Sequence, residues 1–185
     1  MNNKRTIPFL LIIFLGITSC INNVDFTQVE DFSLTPIFKT PLVNFTVNQT
    51  DFFDLVNSLE ITAPVDDVSS FTLLRNKFVN ENLIQVELEF EMNNQFDRNF
   101  QVKFRFLDDN DKVTHEFSTF NIFAKDATFK QKERIGVSAN QLFLSSTKVK
   151  VSIVLSPSTD GSVIDPNNPQ TLTFKSAGTY YLKTN

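Results

Sequence analysis

The chain has no tryptophan, one cysteine, one histidine, two tyrosines and four glycines among its 185 residues. A single cysteine excludes an internal disulfide, and one histidine with one cysteine makes a zinc site improbable. Sites that stack sugars or bases favour Trp and Tyr, whose rings have a polar edge that stays in contact with water. The scarcity of these two residues therefore disfavours such a site. The net charge of −4 disfavours nucleic acid, which attracts basic surfaces.

Phenylalanine is abundant instead, with 21 residues. Its ring has no polar atom, so it serves mainly to fill a core. The composition therefore indicates a packed domain in which the aromatic residues are structural before they are recognition elements.

The N-terminus resembles a bacterial lipoprotein signal peptide. Lys4 and Arg5 form a positive n-region, and residues 7–15 are apolar except for Pro8. Ile17-Thr18-Ser19-Cys20 then has the form of a lipobox. The apolar stretch is too short for a membrane span, which needs about 20 residues, and an ordinary secretory signal would end in an A-x-A-like site.

This resemblance implies that Cys20 is lipidated and that its acyl chains hold the protein in a membrane. Two or more chains anchor firmly where one does so only marginally. Cleavage before Cys20 would leave 166 residues with a net charge of −6. Ile21 in place of an aspartate favours the outer membrane, and the single nearby acid, Asp25, favours its periplasmic face over the cell surface.

Three regions follow from this interpretation. Residues 1–19 are the predicted signal peptide, and residues 20–35 are the lipidated cysteine with a flexible tether. At about 3.3 Å per residue, the polar stretch 21–34 reaches about 45 Å. Residues 36–185 form the predicted folded domain.

That domain shows the period-2 alternation of half-buried strands. The clearest examples are residues 42–48, 83–92, 100–106 and 148–155. Short alternating segments with polar turns predict an all-β, antiparallel, immunoglobulin-like β-sandwich with one or two short helices. The proline-rich stretch Ser156–Gln170 is a predicted long loop.

Two strands and two helices are predicted in more detail. Strand 83–92 is expected to form a hairpin with 100–107, which would place Glu89 opposite Lys103 and Glu87 opposite Arg105. The inward side chains of the first strand would then be Ile84, Val86, Leu88, Phe90 and Met92.

Asp51 is the expected N-cap of a short helix, with an apolar face of Phe52, Leu55, Val56 and Leu59. Ser138 is the expected cap of a second helix, 139–144.

Residues with possible chemistry are few, and the sequence predicts no catalytic, cofactor or metal site. His115 is in phase with Val113 and Phe117 on a predicted strand, which favours a partly buried structural histidine. Asp108–Asp111 lacks the glycine and distant glutamate of an EF-hand, so a turn is favoured over a Ca²⁺ site.

Two further charged groups are open to more than one interpretation. The stripe Lys130, Lys132 and Arg134 fits a solvated sheet face better than a site for anionic lipid or a partner. The paired carboxylates Asp66 and Asp67 fall in a predicted loop, and their separation decides whether a glycosidase mechanism is feasible.

The segment from Asp25 to Pro36 and the ending Thr179-Tyr180-Tyr181-Leu182 resemble uncharacterised small lipoproteins of Bacteroidetes, flavobacteria in particular. This resemblance implies no known activity. The expected function is a lipid-anchored, non-enzymatic binding or assembly module for an outer-membrane protein partner. The alternatives are a carbohydrate-binding or hydrolytic accessory in glycan uptake, and a structural envelope protein.

Cys20→Ala is expected to abolish membrane attachment, because it removes the sulfur that would carry the lipid. Cell fractionation and gel mobility measure this, and Ser19→Ala, which keeps a small residue before the cysteine, is the control. A Cys20→Ala protein that still fractionates with membranes at the processed size would contradict the lipoprotein interpretation.

Overall fold

The computed structural model describes residues 35–183, so Cys20 and the predicted signal peptide lie outside the described residues. The strands are β1 (Ile37–Asn48), β2 (Phe53–Asp54), β3 (Leu59–Glu60), β4 (Val65–Ser70), β5 (Leu83–Asn94), β6 (Phe100–Leu107), β7 (Val113–Glu116), β8 (Phe120–Ile122), β9 (Phe129–Gly136), β10 (Lys148–Leu155) and β11 (Thr171–Leu182). One α-helix, α1 (Lys77–Asn82), and four short 3₁₀ helices, Gln49–Phe52, Leu73–Arg75, Val137–Ala139 and Gln141–Ser145, complete the described elements.

Two antiparallel sheets form a sandwich, which confirms the predicted fold class. Sheet A has the strand order β1-β11-β5-β9. Sheet B has the order β4-β10-β6-β7, and β8 also pairs with β6. Strands β2 and β3 form a separate two-stranded ribbon.

The order of the strands is that of a jelly roll. Counting β7 and β8 as one interrupted strand, eight strands build the two sheets, and the first pairs with the last, β1 with β11. The second pairs with the seventh, β4 with β10, and the third with the sixth, β5 with β9. The fourth, β6, pairs with β7 and β8. This is a long hairpin rolled into two sheets, so the immunoglobulin-like arrangement is not confirmed.

The predicted hairpin between β5 and β6 is wrong, although the burial of its apolar residues is right. Strand β5 pairs with β11 and β9, whereas β6 pairs with β10, β7 and β8. The two strands face each other across the core, where the rings of Phe90 and Phe104 lie 4.8 Å apart between centroids.

The connection between β5 and β6 explains this difference. Asn94, Phe96 and Arg98 are all buried, so the inward phase of β5 continues through the connection into β6. The Asn94 side-chain amide donates to the carbonyls of Arg98 (2.8 Å) and Phe123 (2.7 Å). The chain therefore crosses from sheet A to sheet B through a buried corner instead of turning back in the same sheet.

Both predicted helices also differ from the structure. Asn48, not Asp51, caps the 3₁₀ helix Gln49–Phe52, and Asp51 accepts from the Asn48 backbone in return. The chain then forms β2 and β3, which leaves Leu55, Val56 and Leu59 exposed. The segment expected as helix 139–144 contains two 3₁₀ turns without a side-chain cap. Strand β4 and helix α1 lie where no element is predicted.

The core is a layer of phenylalanine rings between the sheets. The phenylalanines with no exposed surface include Phe52, Phe90, Phe96, Phe100, Phe104, Phe106 and Phe174, which all show 0%. Phe143 shows 0% as well and seals one end. Edge-to-face pairs such as Phe106 with Phe143, 4.9 Å apart, add to the free energy of burial.

Tyr180 fills the same layer in an unusual way. Its ring stacks on Phe38 at 5.1 Å and lies over Gly178, the inward residue two positions before it on β11. A Cβ atom at Gly178 would lie 2.6 Å from the Tyr180 hydroxyl and 2.8 Å from Cζ. The glycine therefore provides the space that the ring occupies, and burial raises the pKa of Tyr180.

Gly178→Ala is expected to lower the free energy of unfolding by about 1–3 kcal/mol, because the packed Tyr180 ring must shift. Gly136→Ala is the matched control, since a Cβ there meets nothing within 4 Å and its φ of −84° suits any residue. Urea unfolding of both variants measures the difference. Equal stability of the two variants would contradict the packing of Tyr180 on Gly178.

Candidate interaction surface

A buried ion pair holds the β2–β3 ribbon against the loops at one end of the sandwich. The Arg98 guanidinium donates to both oxygens of Glu60, at 2.6 Å and 3.2 Å. It also donates to the carbonyls of Ser156 (2.8 Å) and Ser162 (3.0 Å). The two side chains are 8% and 19% exposed, so this pair is shielded from solvent.

Glu60 has a second role in the same place, because its Oε1 accepts from the backbone N–H of Ile164 at 2.7 Å. One carboxylate and one guanidinium thus join β3, the β5–β6 connection and the long loop 156–170. Sequence reasoning missed both residues. The alternation of Asn94, Phe96, Arg98 and Phe100 was the available indication that Arg98 faces inward, but it passes through the segment that joins the two strands of the predicted hairpin.

The ribbon that this pair holds ends in an apolar tip, defined here as Leu55, Val56 and Leu59. Their exposed fractions are 65%, 91% and 63%. The turn between them is ordered by Asp54, whose carboxylate accepts from the backbone of Val56 (2.9 Å) and from the Asn57 side chain (2.6 Å). These hydrogen bonds, chiefly from Asn57, hold the pKa of Asp54 below its usual value.

Val163 belongs to the part of the long loop to which the ribbon is attached. The residues on either side of it, Ser162 and Ile164, bond to Arg98 and Glu60, and Val163 itself is 60% exposed. The long loop predicted at 156–170 therefore adds an exposed apolar side chain where the ribbon is attached to the sandwich. Exposed apolar side chains grouped in this way are characteristic of interaction sites.

The basic stripe on β9 does not form a free cationic surface. Lys130 bonds to Glu91 at 2.8 Å and Lys132 to Glu89 at 2.7 Å, and Arg134 pairs with Glu87. The glutamates of β5 were expected to pair with Lys103 and Arg105, but those cations lie on the other sheet, where Arg105 pairs with Glu116. A neutralised, solvated sheet face is the better description of the stripe.

Glu89 has the most perturbed carboxyl group on this face. Hydrogen bonds from Lys132 and from Lys39 on β1 lower the pKa of Glu89 from 4.5 to about 2. A depressed carboxyl pKa contributes stability that is present above pH 4.5 and lost as the pH falls towards 2. Because the group is exposed to solvent, salt screening weakens the contribution.

The acidic segment Asp108–Asp111 forms a turn, as the sequence predicts. Asp108 accepts from the backbones of Asn110 and Lys112, both at 2.9 Å. Asp109 pairs with Arg75 at 2.9 Å and Asp111 with Lys148 at 2.7 Å. The backbone and neighbouring cations already engage the three carboxylates. No three His, Cys, Asp or Glu side chains in the described range are grouped to hold a metal.

His115 lies on β7, half-buried among aromatic rings. Its ring packs edge-on against Phe117 at 4.7 Å and lies 6.3 Å from Phe143. Burial lowers the pKa of His115, with a smaller opposing effect of Glu133, so the surroundings favour the neutral imidazole. This agrees with the structural role predicted for it.

The pair Asp66 and Asp67 lies on strand β4, so the predicted loop is wrong. Successive strand residues point to opposite faces of the sheet, which separates the two carboxylates. Asp66 bonds to Lys150 at 2.7 Å, while Asp67 accepts from Ser69 at 3.1 Å. The remaining predicted site residue, Cys20, lies outside the described residues.

No known protein family and no curated protein matches the chain. Among solved structures it is similar to a protein from Parabacteroides distasonis, a member of the Bacteroidetes, that is described as secreted. The two are 11% identical with a TM-score of 0.49, over 66% of this chain and 40% of that one.

A second similarity is to the VP2 subviral particle of infectious bursal disease virus, with 6% identity and a TM-score of 0.41 over 80% of this chain and 33% of that one. A third is to a pilus of Bacillus endospore appendages, with 10% identity and a TM-score of 0.36 over 82% of this chain and 91% of that one. The chain thus spans 40% of the Parabacteroides protein and 33% of VP2. None of these similarities transfers an activity. None of the helices within residues 35–183 has the length and hydrophobicity of a membrane span.

Arg98→Ala is expected to lower the free energy of unfolding by about 3–5 kcal/mol, because it leaves the Glu60 carboxylate buried without its partner. Arg98→Lys should restore only part of this, since an ammonium lacks the planar two-pronged geometry of a guanidinium. Arg134→Ala is the control, as an exposed pair contributes less than about 1 kcal/mol. Urea unfolding measures all three, and equal losses for Arg98→Ala and Arg134→Ala would contradict the role of the buried pair.

Proposed function

We propose that this protein is a lipid-anchored lipoprotein of the outer membrane whose jelly-roll domain binds an envelope protein partner and catalyses no reaction. The observation that carries the proposal is the apolar tip of the β2–β3 ribbon. Its three side chains extend into solvent although each would be more stable in contact with another apolar surface. A protein surface with a complementary apolar pocket is the proposed occupant.

The way in which the ribbon is held supports a positioned binding element. An isolated two-stranded ribbon is marginally stable in water, and here each strand has only two residues. The Arg98–Glu60 pair and the bond to Ile164 attach it to the sandwich. Burying an ion pair costs desolvation energy that an apolar contact would not. A fixed ribbon loses less conformational entropy on binding than a mobile one.

The predicted anchor supplies the second part of the argument. A lipidated Cys20 confines the domain and a membrane-resident partner to the same surface, so that a small contact area is sufficient at high effective concentration. The residue after Cys20 favours the outer membrane, with the periplasmic face as the proposed side. The acidic net charge makes a nucleic acid an unfavourable partner.

The glycan-uptake and structural alternatives rest on no specific feature of the described residues. The single histidine packs against phenylalanine rings, and the carboxylates of Asp66 and Asp67 lie on opposite faces of β4. A hydrolytic accessory would need a pair of carboxyl groups flanking the scissile bond. These placements support the non-enzymatic proposal.

A photo-crosslinking amino acid placed at Val56 in intact cells is expected to give one dominant product with an envelope protein. Mass spectrometry identifies the partner, and the same probe at Val68, an exposed residue of β4 (53%), is the position control. Leu59→Ser should reduce the product at Val56 several-fold without changing the melting temperature, because Leu59 is exposed in the free protein.

Two results would reverse the proposal. One is a product at Val56 that is unaffected by Leu59→Ser or equally strong at Val68. The other is turnover of a glycan or ester that is lost in His115→Ala, which would favour the hydrolytic alternative.

A further inference from the structure

A second group of apolar side chains, three of them exposed, lies at the opposite end of sheet A from the ribbon. It consists of Ile37 on β1, Tyr181 on β11, Ile84 on β5 and Phe78 on α1, and is called the basal patch here. Ile37, Phe78 and Ile84 are 58%, 51% and 45% exposed. Tyr181 is half-buried, with its hydroxyl donating to Glu87 at 3.0 Å.

The pairing of the strands places these residues side by side. Ile37 lies opposite Tyr181, and Tyr181 lies opposite Gln85, the residue next to Ile84. Helix α1, which carries Phe78, adjoins this end of the sheet because the carbonyl of its last residue, Asn82, accepts from the Lys183 backbone at 2.9 Å.

Ile84 is exposed because β5 departs from its own alternation. The sequence predicts Ile84 in the core, in phase with Val86. A register shift between Tyr181 and Leu182 instead pairs Leu83 with Leu182, so Leu83 is buried and Ile84 points outward. A bulge of this kind re-aims a side chain at the cost of regular pairing, and here it turns an isoleucine towards solvent.

The basal patch surrounds the point at which the described chain begins. The backbone N–H of Leu182 donates to the carbonyl of Pro36 at 3.0 Å. This bond attaches Pro36, the residue before Ile37, to the end of β11. Only fourteen residues, 21–34, separate the predicted lipid attachment at Cys20 from Thr35. These residues reach at most about 45 Å, so in an anchored protein this end of the domain is the one joined to the lipid through the shortest length of chain.

We infer that the basal patch rests in the headgroup region of the membrane, so that the domain docks on the lipid surface instead of standing away from it. This rests on the proposed lipid anchoring. The transfer of isoleucine and phenylalanine side chains from water to the boundary between headgroups and acyl chains is favourable. Tyr181 has the apolar ring and polar hydroxyl that are typical of membrane interfaces, and Lys183 lies beside the patch.

Docking would also orient the proposed binding ribbon. Strand β11 has 12 residues and spans about 40 Å at about 3.3 Å per residue. Ile37 and the ribbon lie at opposite ends of sheet A, because β1 begins opposite Tyr181 and ends opposite Thr171, just before the ribbon. The apolar tip would therefore lie at the far end of sheet A from the docked patch, about 40 Å along β11.

The inference is tested on the mature lipidated protein in vesicles of phosphatidylethanolamine and phosphatidylglycerol. Lipidation occupies the only cysteine of the chain, so Lys183→Cys introduces a single thiol for a nitroxide label beside an intact patch. Val56→Cys places the same label at the ribbon. Docking predicts a several-fold lower accessibility to a water-soluble nickel relaxant at 183 than at 56, and a higher accessibility to oxygen.

Phe78→Glu, combined with Lys183→Cys, should return the label at 183 to the accessibility of the label at 56. The control is Leu59→Glu, which changes an equally exposed apolar residue at the other end and should leave the label at 183 shielded. Both substituted residues are exposed, so circular dichroism and thermal melting should match those of the unsubstituted protein.

The failures of the two proposals are distinguishable by vesicle flotation. A protein that does not float with the vesicles lacks the anchor, and the docking inference falls with it. A protein that floats, but whose labels at 183 and 56 are equally accessible to nickel, is anchored yet stands away from the surface. That result would overturn the docking inference alone.

Discussion

The packing of phenylalanine rings between the two sheets is the contact on which the other features of the structure depend. Phe90 of sheet A packs against Phe104 of sheet B. The ring of Phe174 stacks on Phe104 as well, with 6.1 Å between the centroids. With no disulfide available, apolar burial must supply most of the free energy of folding. The outer faces of both sheets are then left for charged side chains, which pair within their own sheet.

This division leaves the two ends of the sandwich as the places where the chain departs from regular patterning. At one end the buried Arg98–Glu60 pair holds a short ribbon with an exposed apolar tip. At the other end a bulge turns Ile84 into the basal patch. Each departure has a structural cost, either desolvation of an ion pair or loss of regular strand pairing. Costs of this kind are characteristic of functional surfaces, which is why both proposals are located there.

Burial along the strands could be predicted from the sequence because it depends on neighbours two positions apart. The inward residues of β5, β6 and β10 were recognised in this way, apart from Ile84, where the bulge changes the phase. The turn Asp108–Asp111 and the structural role of His115 were also predictable, since both depend on local hydrogen bonding and strand phase. The candidate surface was not, because Glu60 and Arg98 are 38 residues apart and meet only in the folded chain.

The helix expected after Asp51 shows the same limit at short range. Phe52, Leu55, Val56 and Leu59 have the spacing of a helical face, but only Phe52 reaches the core. The hydrogen bonds of Asn48 and Asp54 favour a 3₁₀ turn followed by a two-stranded ribbon. An apolar pattern in a short segment therefore indicates either a buried face or an exposed one, and the surrounding structure decides between them.

The sequence by itself determined the all-β sandwich and most of the side chains that fill its core, because these depend on alternation along one strand. Lipid attachment at Cys20 rests on a local motif and stays a prediction. Only the tertiary structure decided which strands pair. The alternation in β5 and β6 is equally compatible with a hairpin and with two strands facing each other across the core. The charges of Glu87 and Glu89 did not distinguish the two, since cations of similar spacing occur on both β6 and β9. The buried corner at Asn94 resolves this, because its hydrogen bonds to Arg98 and Phe123 carry the chain into the other sheet.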